Sequence, residues 1–176
     1  KIGYETFYKK LITRLENDFK LWNEFEKIPR VATHSKKGVI ELMPINNNEY
    51  YSFKYVNGHP KNPLLNKSTV MAFGALSNVE TGEPLCISEM TILTALRTAA
   101  TSAMAGKYLA KKDSTTLTLI GTGAQSEFQS LAFSTVFNIK TIKYFDVDKN
   151  GKINGDEWKR IRQSAQREVL NRNQPS

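Results

Sequence analysis

The segment that most constrains the fold is a strand-like run that leads directly into two glycines and then into a helix. Residues 116–120 are mostly β-branched or apolar, which predicts a strand, and residues 125–137 have a helical pattern. A glycine turn before a helix presents free backbone amides, which favour an anion such as a phosphate. The segment therefore predicts the start of a nucleotide-binding α/β unit, with an ordinary strand–turn–helix connection as the alternative.

The residues around this turn fit a dinucleotide site. Gly121 would make the tight turn, Gly123 would let the backbone approach a pyrophosphate, and Ser126 occupies the position where a third small residue is usual. Residues 141–145 predict a second strand. Asp146 follows that strand, 23 residues after Gly123, where a carboxylate can accept hydrogen bonds from ribose hydroxyls.

The residues before this unit predict a region that mixes helices and strands. Residues 4–26 repeat apolar side chains at steps of three and four, which is typical of an amphipathic helix, and Pro29 is expected to end it. Ser88 is expected to cap a second helix that extends to about Ala110. Between the helices, β-branched and aromatic runs predict strands over residues 39–45, 50–56, 69–76 and 85–87, with turns at 46–48 and 81–84.

Composition and charge exclude several classes of protein. A single cysteine excludes a disulfide scaffold and a four-cysteine zinc site. No stretch is apolar enough for a transmembrane helix, so we expect a soluble, cytoplasmic chain with no membrane partner. Half of the net charge of +8 lies in residues 149–176, which hold seven Lys or Arg and three Asp or Glu. No aromatic–basic motif accompanies these charges, so a solvated helix face is preferred over nucleic-acid binding.

Six runs of residues give the chain a family resemblance. The runs are RVATHS (30–35), GVIELMP (38–44), FKYVNGHP (53–60), TVMAFGALSNVETGEP (69–84), SEMTILTALRTAATSAMA (88–105) and LIGTGAQSEFQSLAF (119–133). With these runs, the chain resembles the ornithine cyclodeaminase/mu-crystallin family from about residue 4 to residue 148. The combination of ELMP, FKYVNGHP and ALRTAAT favours the cyclodeaminase branch over the ketimine reductase and alanine dehydrogenase branches.

The resemblance implies a fold and a reaction. It implies an α+β substrate and dimerisation domain over residues 1–113, followed over residues 114–148 by the truncated β-α-β start of a Rossmann domain. It also implies a homodimeric, NAD-dependent lyase of amino-acid metabolism that converts L-ornithine to L-proline and ammonia, in proline biosynthesis and in arginine and ornithine catabolism. The NAD takes hydride from the substrate and later returns it, so the protein supplies positioning and charge.

The resemblance also assigns residues to the site. Arg30, Lys54 and Arg97 would hold the substrate carboxylate, because such a group needs charge-assisted donors once water is excluded. Glu41 lies between apolar neighbours on a predicted strand and would perform acid–base catalysis. The remaining assigned residues would contact the cofactor: Thr69, Thr98, Gly121, Thr122, Gly123, Ala124, Gln125, Ser126 and Asp146.

One catalytic group of the family has no counterpart in this sequence. The resemblance implies an aspartate that acts on the side-chain amine during ring closure, and no residue here maps to it. We therefore expect weak or absent turnover by this chain, and a protein that binds an amino acid or a nucleotide without turnover is an alternative.

Residues 146–158 carry a second motif that competes with the first. The run DVDKNGKINGDEW fits an EF-hand calcium loop, in which a helix follows the loop. Asp146 cannot serve a ribose and a calcium ion at once, so either a calcium-binding module or a chance match within a divergent family member is possible. We favour a junction of two unrelated sequences near Asp146. The candidate calcium ligands are Asp146, Asp148, Asn150 and Glu157.

Overall fold

The structure is a computed structural model that describes residues 2–146. The predicted C-terminal helix and most of the calcium loop, including Asp148, Asn150 and Glu157, lie outside the described residues. The described residues divide into two compact units, one formed by residues 17–97 and the other by residues 2–16 together with 98–146. The domain boundary predicted at residue 113 stays a prediction, because a compact unit need not coincide with a functional domain.

The first helix is shorter than the sequence predicted. Helix α1 covers Tyr4–Lys20, and a single 3-10 turn at Trp22–Glu24 follows it. The prediction of a helix to residue 26 was wrong, because Glu26 and Lys27 form a short strand, β1, that pairs with β3. Apolar residues continue at helical spacing beyond the end of α1 because Trp22 packs back against the helix. Its ring stacks on that of Phe19, with the ring centroids 5.6 Å apart.

An antiparallel sheet of six strands forms the unit of residues 17–97. The strands are β1 (Glu26–Lys27), β2 (Val31–Ser35), β3 (Gly38–Asn46), β4 (Tyr50–Gly58), β5 (Ala72–Asn78) and β6 (Pro84–Glu89). Their order is β1-β3-β4-β5-β6, and β2 pairs with β3 on the same edge as β1. The predicted strands over 39–45, 50–56 and 85–87 are confirmed, whereas β1 and β2 were not predicted.

The strand predicted over residues 69–76 begins three residues late. Residues 69–71 precede β5, and they are held by backbone hydrogen bonds to the end of β4, such as that from the Asn57 amide to the Met71 carbonyl at 3.1 Å, and by the side chain of the buried Asn57. The Asn57 side-chain oxygen accepts a hydrogen bond from the backbone amide of Met71, and the Asn57 amide group donates to Nδ1 of His59 at 3.0 Å. These contacts satisfy the backbone without a strand and hold the connection after β4 against the start of β5.

The second helix, α2, covers Thr91–Leu109 and has a different cap from the one predicted. The Ser88 hydroxyl donates to the Glu89 carbonyl, so it does not cap the helix. The Glu89 carboxylate accepts the amides of Thr91 and Ile92 instead. The hydrogen bonds from Thr91 hold the pKa of Glu89 below its usual value. A carboxylate at a helix N-terminus is favoured by the same free amides that a serine would have satisfied.

The other unit contains the predicted strand–helix–strand order. Strand β7 (Thr116–Ile120), helix α3 (Gln125–Val136) and strand β8 (Thr141–Phe145) follow one another, and the two strands pair in parallel. The small residues Ala99, Ala100 and Ala103 of α2 are fully buried. Their small side chains allow a neighbouring element to pack closely against this helix. None of the described helices meets the length and hydropathy needed to span a bilayer.

Candidate functional site

Two of the predicted cations, Arg30 and Arg97, lie near the third, Lys54, on the sheet. Lys54 lies on β4, between Met43 of β3 and Gly74 of β5 in the strand register. Burial lowers the pKa of Lys54, and the charges of Arg97 and Arg30 lower it further, while Glu41 opposes them. Because such charge effects require proximity, Arg30 and Arg97 lie near Lys54, while their binding of a substrate carboxylate stays a prediction.

The one predicted catalytic carboxylate lies in the same cluster. Glu41 is on β3, on the sheet face that also carries Lys54, and its Oε1 accepts a hydrogen bond from Nη1 of Arg30 at 3.1 Å. The Glu41 side chain is 20% exposed and that of Arg30 is 60% exposed. The sequence predicted apolar neighbours for Glu41, and the structure adds a guanidinium that sequence reasoning did not place beside it.

The local fold explains why the cations converge. Helix α2 starts against β5, since the Ala72 amide donates to the Thr91 hydroxyl at 2.9 Å and the Met90 amide donates to the Ala72 carbonyl at 2.9 Å. This anchoring fixes the part of α2 that carries Arg97. The sequence singled out neither Thr91 nor Glu89, although an acid and a threonine at the start of a helix are capping signals.

Gly74 is the neighbour of Lys54 on β5 and has no side chain, which leaves room for Met90 on the sheet face there. A Cβ atom at Gly74 would lie 2.6 Å from Sδ of Met90 and would also clash with the Phe53 carbonyl. Only a glycine therefore allows Met90 to cover β5 at this point. The positive charges of Arg30, Lys54 and Arg97 outnumber the one negative charge of Glu41, and this excess favours a small anionic group such as a carboxylate.

The glycine turn of the other unit has the backbone geometry that was predicted. Gly121 has a φ of +96°, a conformation that residues with side chains rarely adopt, and its amide donates to the Phe145 carbonyl at 2.7 Å. A Cβ atom at Gly121 or at Gly123 would meet no protein atom within 4 Å. The turn thus leaves open space beside the backbone before α3, where a phosphate group can approach the amides.

Asp146 closes the turn from the end of β8. Its Oδ2 accepts hydrogen bonds from the Thr122 amide at 2.6 Å and from the Thr122 hydroxyl. Ser126, in the first turn of α3, donates its hydroxyl to the Gly123 carbonyl at 2.8 Å. The turn residues Gly121, Thr122, Gly123, Ala124, Gln125, Ser126 and Asp146 are thus neighbours, as predicted, and their open glycines and the nearby carboxylate fit the pyrophosphate and ribose of a dinucleotide.

For two predicted cofactor residues, Thr69 and Thr98, the structure shows hydrogen bonds to neighbouring protein groups. Thr69 lies in the connection before β5 and is exposed, with its carbonyl accepting the His59 amide at 2.9 Å. Thr98 is on α2, and its carbonyl accepts the Ser102 hydroxyl at 3.1 Å. Their contacts with a cofactor stay predictions. Within residues 2–146, no group of three or more His, Cys, Asp or Glu could hold a metal ion.

The chain is similar to known proteins along most of its length. A sequence model of the ornithine cyclodeaminase/mu-crystallin family matches residues 1–170, which extends past the limit near residue 148 that the sequence motifs suggested. An ornithine cyclodeaminase of Agrobacterium fabrum is 59% identical over 146 residues. That alignment covers 83% of this chain and 41% of the relative, so the chain spans about two fifths of the relative's length.

Two solved structures share the fold. A lysine cyclodeaminase, described for its recognition of L-lysine, L-ornithine and L-2,4-diaminobutyric acid, matches with a TM-score of 0.80 at 29% identity, over 90% of this chain and 48% of that one. An archaeal alanine dehydrogenase dimer with bound NAD matches with a TM-score of 0.76 at 36% identity, over 82% of this chain and 46% of that one. The higher identity to the Agrobacterium cyclodeaminase agrees with the branch that the sequence motifs favoured.

Proposed function

Because this chain belongs to the ornithine cyclodeaminase/mu-crystallin family, we propose that its residues bind L-ornithine and NAD for the conversion of L-ornithine to L-proline and ammonia. The observation that carries the proposal is the cluster of Arg30, Lys54 and Arg97 around one face of the sheet, with Glu41 beside it. A small amino acid needs such a cluster for its carboxylate.

The cations would fix the substrate by its acid group. Lys54 and Arg97 supply donors from β4 and α2, and Arg30 supplies a planar guanidinium that can form two parallel hydrogen bonds. Holding the carboxylate this way leaves the α-carbon and its amine in a defined position. Glu41, next to Arg30, would accept or donate a proton as the α-amine leaves as ammonia.

The glycine turn would hold the cofactor. The pyrophosphate would lie against the amides of residues 121–126, and the Asp146 carboxylate would accept hydrogen bonds from a ribose. When bound, NAD supplies the hydride acceptor and donor, which no side chain of this chain can supply. Of the cofactor contacts, those of Thr69 and Thr98 rest on the family resemblance.

The sheet face opposite the cations would form a homodimer. In the strand register, Val31, Leu42, Phe73 and Ile87 lie on that face, and Ile87 is 78% exposed. Apolar side chains in such a row on a sheet favour contact with another surface. A second copy is the proposed partner because the related alanine dehydrogenase is a dimer. A cytoplasmic location stays a prediction.

Calorimetry on the complete 176-residue chain tests the proposed substrate and cofactor. We expect L-ornithine to bind, Arg97→Met to abolish that binding, and Lys61→Met, which removes an exposed lysine, to leave it intact. We expect NAD to bind independently of Arg97→Met. Ornithine binding that is unchanged in Arg97→Met would contradict the proposed site.

Turnover is a separate measurement. The chain is incubated with L-ornithine and NAD, and L-proline and ammonia are quantified. Because no residue here maps to the family's catalytic aspartate, we expect weak or absent turnover even where both ligands bind. Rapid proline formation would support the proposed reaction and would show that our expectation about the missing aspartate is wrong.

A calcium-binding module is a second candidate because the run DVDKNGKINGDEW matches the EF-hand pattern. Trp158 is the last residue of this run and comes directly after Glu157, so its fluorescence would respond to calcium. We expect a calcium-dependent change that Glu157→Gln abolishes, since Glu157 would supply the bidentate ligand. No change on adding calcium to the complete chain would exclude this candidate.

A further inference from the structure

We propose that Thr122 is a positioning residue for the adenosine ribose of the cofactor, because both its amide and its hydroxyl donate to the Asp146 carboxylate. The inference rests on the proposed function in one respect, since it takes the ligand of the glycine turn to be a dinucleotide. It gives Thr122 a task different from direct contact with the cofactor. Thr122 fixes the group that binds the ribose, and other amides of the turn hold the phosphates.

The contacts between Thr122 and Asp146 continue the pairing of β7 with β8. The last paired residues are Ile120 and Phe145, and directly after them the Gly121 amide donates to the Phe145 carbonyl at 2.7 Å. One residue further, the Thr122 amide donates to Oδ2 of Asp146 at 2.6 Å, so a side-chain oxygen takes the place of a backbone acceptor. The Thr122 hydroxyl donates to the same oxygen. Two donors of one residue therefore converge on a single carboxylate oxygen.

This convergence restricts the rotation of the Asp146 side chain. A side chain that samples several rotamers must be ordered when a ligand needs one of them, and that ordering weakens binding. Hydrogen bonds that end on a charged oxygen are stronger than those between neutral groups, so the two donors of Thr122 hold the carboxylate effectively. The acceptor for the ribose hydroxyls is thus oriented before the nucleotide binds.

The same contacts limit which amides can hold the phosphates. The Gly121 and Thr122 amides already donate to the end of β8, and the Ser126 amide donates to the Gly123 carbonyl at 2.9 Å. The hydrogen bond to the aspartate also occupies the single proton of the Thr122 hydroxyl. Within the part of the chain that the structure describes, no protein group accepts the amides of residues 123–125. These three amides, beside the open space at Gly123, are the phosphate donors of the turn.

A pair of nucleotides separates this role from a contact with phosphate. ADP and 2′-deoxy-ADP carry the same phosphates and differ in a ribose hydroxyl that would donate to Asp146, and calorimetry on the complete chain measures how tightly each binds. We expect the wild type to prefer ADP about tenfold, because 2′-deoxy-ADP lacks a hydrogen bond to a charged group. Thr122→Val keeps the amide and the shape of the side chain and removes the hydroxyl. We expect it to lower the preference to about threefold or less, with the affinity for 2′-deoxy-ADP within about twofold of the wild type.

Two further variants make the comparison specific. Thr122→Ser retains a hydroxyl and is expected to restore the wild-type preference for ADP. Thr118→Val makes the same chemical change at an exposed position of β7 and is expected to leave both affinities unchanged.

The possible failures can be told apart. An equal loss of affinity for both nucleotides in Thr122→Val would overturn the inference, because Thr122 would then contact the phosphates or only support the turn. An unchanged preference in Thr122→Val, or a wild type that does not prefer ADP, would overturn it and leave the proposed cofactor site standing. A wild-type chain that binds neither NAD nor these nucleotides would contradict both the inference and the cofactor part of the proposed function.

Discussion

The cation cluster predicts that the wild-type protein is less stable than it could be. Lys54 is half-buried and its protonated form is opposed by burial, by Arg97 and by Arg30, with partial relief from Glu41. Replacing it with methionine keeps a long unbranched chain and removes the charge. We therefore expect Lys54→Met to stabilise the fold at pH 7 and to abolish binding of L-ornithine.

The magnitude follows from the linkage between proton binding and folding. Each unit by which a folded-state pKa lies below the unfolded value corresponds to about 1.4 kcal/mol. Solvent screens the charges around a side chain that is only half-buried, so we expect the gain in the free energy of unfolding to lie within the range typical of partly exposed charge pairs, up to about 1 kcal/mol. The exposed variant Lys61→Met is expected to change it by less than about 0.5 kcal/mol.

The effect of Lys54 on stability depends on pH. Because the pKa of Lys54 is lowered from 10.5, the unfolded chain binds this proton more tightly than the folded chain does. The destabilisation is therefore complete below the folded-state pKa and disappears as the pH rises through that value towards 10.5. We expect the advantage of Lys54→Met over the wild type to shrink across that interval.

Urea unfolding at a series of pH values measures this difference. The charge-retaining variant Lys54→Arg is the matched control, and it is expected to show no gain at pH 7. A Lys54→Met protein that is less stable than the wild type at pH 7, or whose advantage does not change with pH, would refute the electrostatic account of the cluster.

Three further predictions concern other contacts. Glu41→Gln and Arg30→Met should be coupled by about 0.5 kcal/mol in a double-mutant cycle of unfolding, because the Arg30 side chain is largely exposed and solvent weakens the ion pair. Additive effects of the two substitutions on the free energy of unfolding would contradict the contact. Tyr8→Phe should lower the free energy of unfolding by about 1 kcal/mol, since the Tyr8 hydroxyl donates to the Phe128 carbonyl at 3.3 Å. Burial and Glu127 raise the pKa of Tyr8 to about 12, so wild-type stability should fall as the pH rises from 10 through that value, and the phenylalanine variant should lack that contribution. Gly121→Ala should cost about 1 kcal/mol because φ is +96°, and calorimetry should show weaker NAD binding.

The elements that the sequence predicted are those whose signals are local. The turn at residues 46–48 ends in Asn48 at a φ of 68°, and the turn at residues 81–84 contains Gly82 at a φ of 70°. Both positions use residue types that tolerate this conformation, so the chemistry of a few neighbours was enough. The strand β7, the glycine turn and the helix α3 were predictable for the same reason.

The elements that the sequence did not predict depend on distant partners. Strand β1 has two residues and exists because Asn46 and Ile45 pair with it. Nothing within residues 4–26 signals that pairing, and the periodic apolar side chains continue through it, so a longer helix was the natural prediction. The cap of α2 could not be predicted for a different reason. Ser88 and Glu89 can both cap a helix, and which of them reaches the free amides depends on the backbone conformation before the helix.

The site was predictable in its residues and not in its contacts. The family resemblance supplied Arg30, Lys54 and Arg97, which lie on a connection, a strand and a helix far apart in sequence. The contact between Arg30 and Glu41 requires the register that pairs Ala32 with Glu41, and β2 itself was not predicted. A site residue can therefore be named from sequence while its partner remains hidden until the register is known.

The repulsion around Lys54 and the proposed binding of a carboxylate are two aspects of one arrangement. Three cations near each other raise the free energy of the folded chain. Gly74 weakens its strand because it has no side chain, and in exchange it leaves room for Met90 next to Lys54. A bound carboxylate would remove much of that repulsion, so part of the unfavourable energy of the unliganded fold is returned on binding. The cluster is consequently poor at stabilising the sheet and well suited to selecting an anionic group, which is the balance expected of a site selected for binding more than for stability.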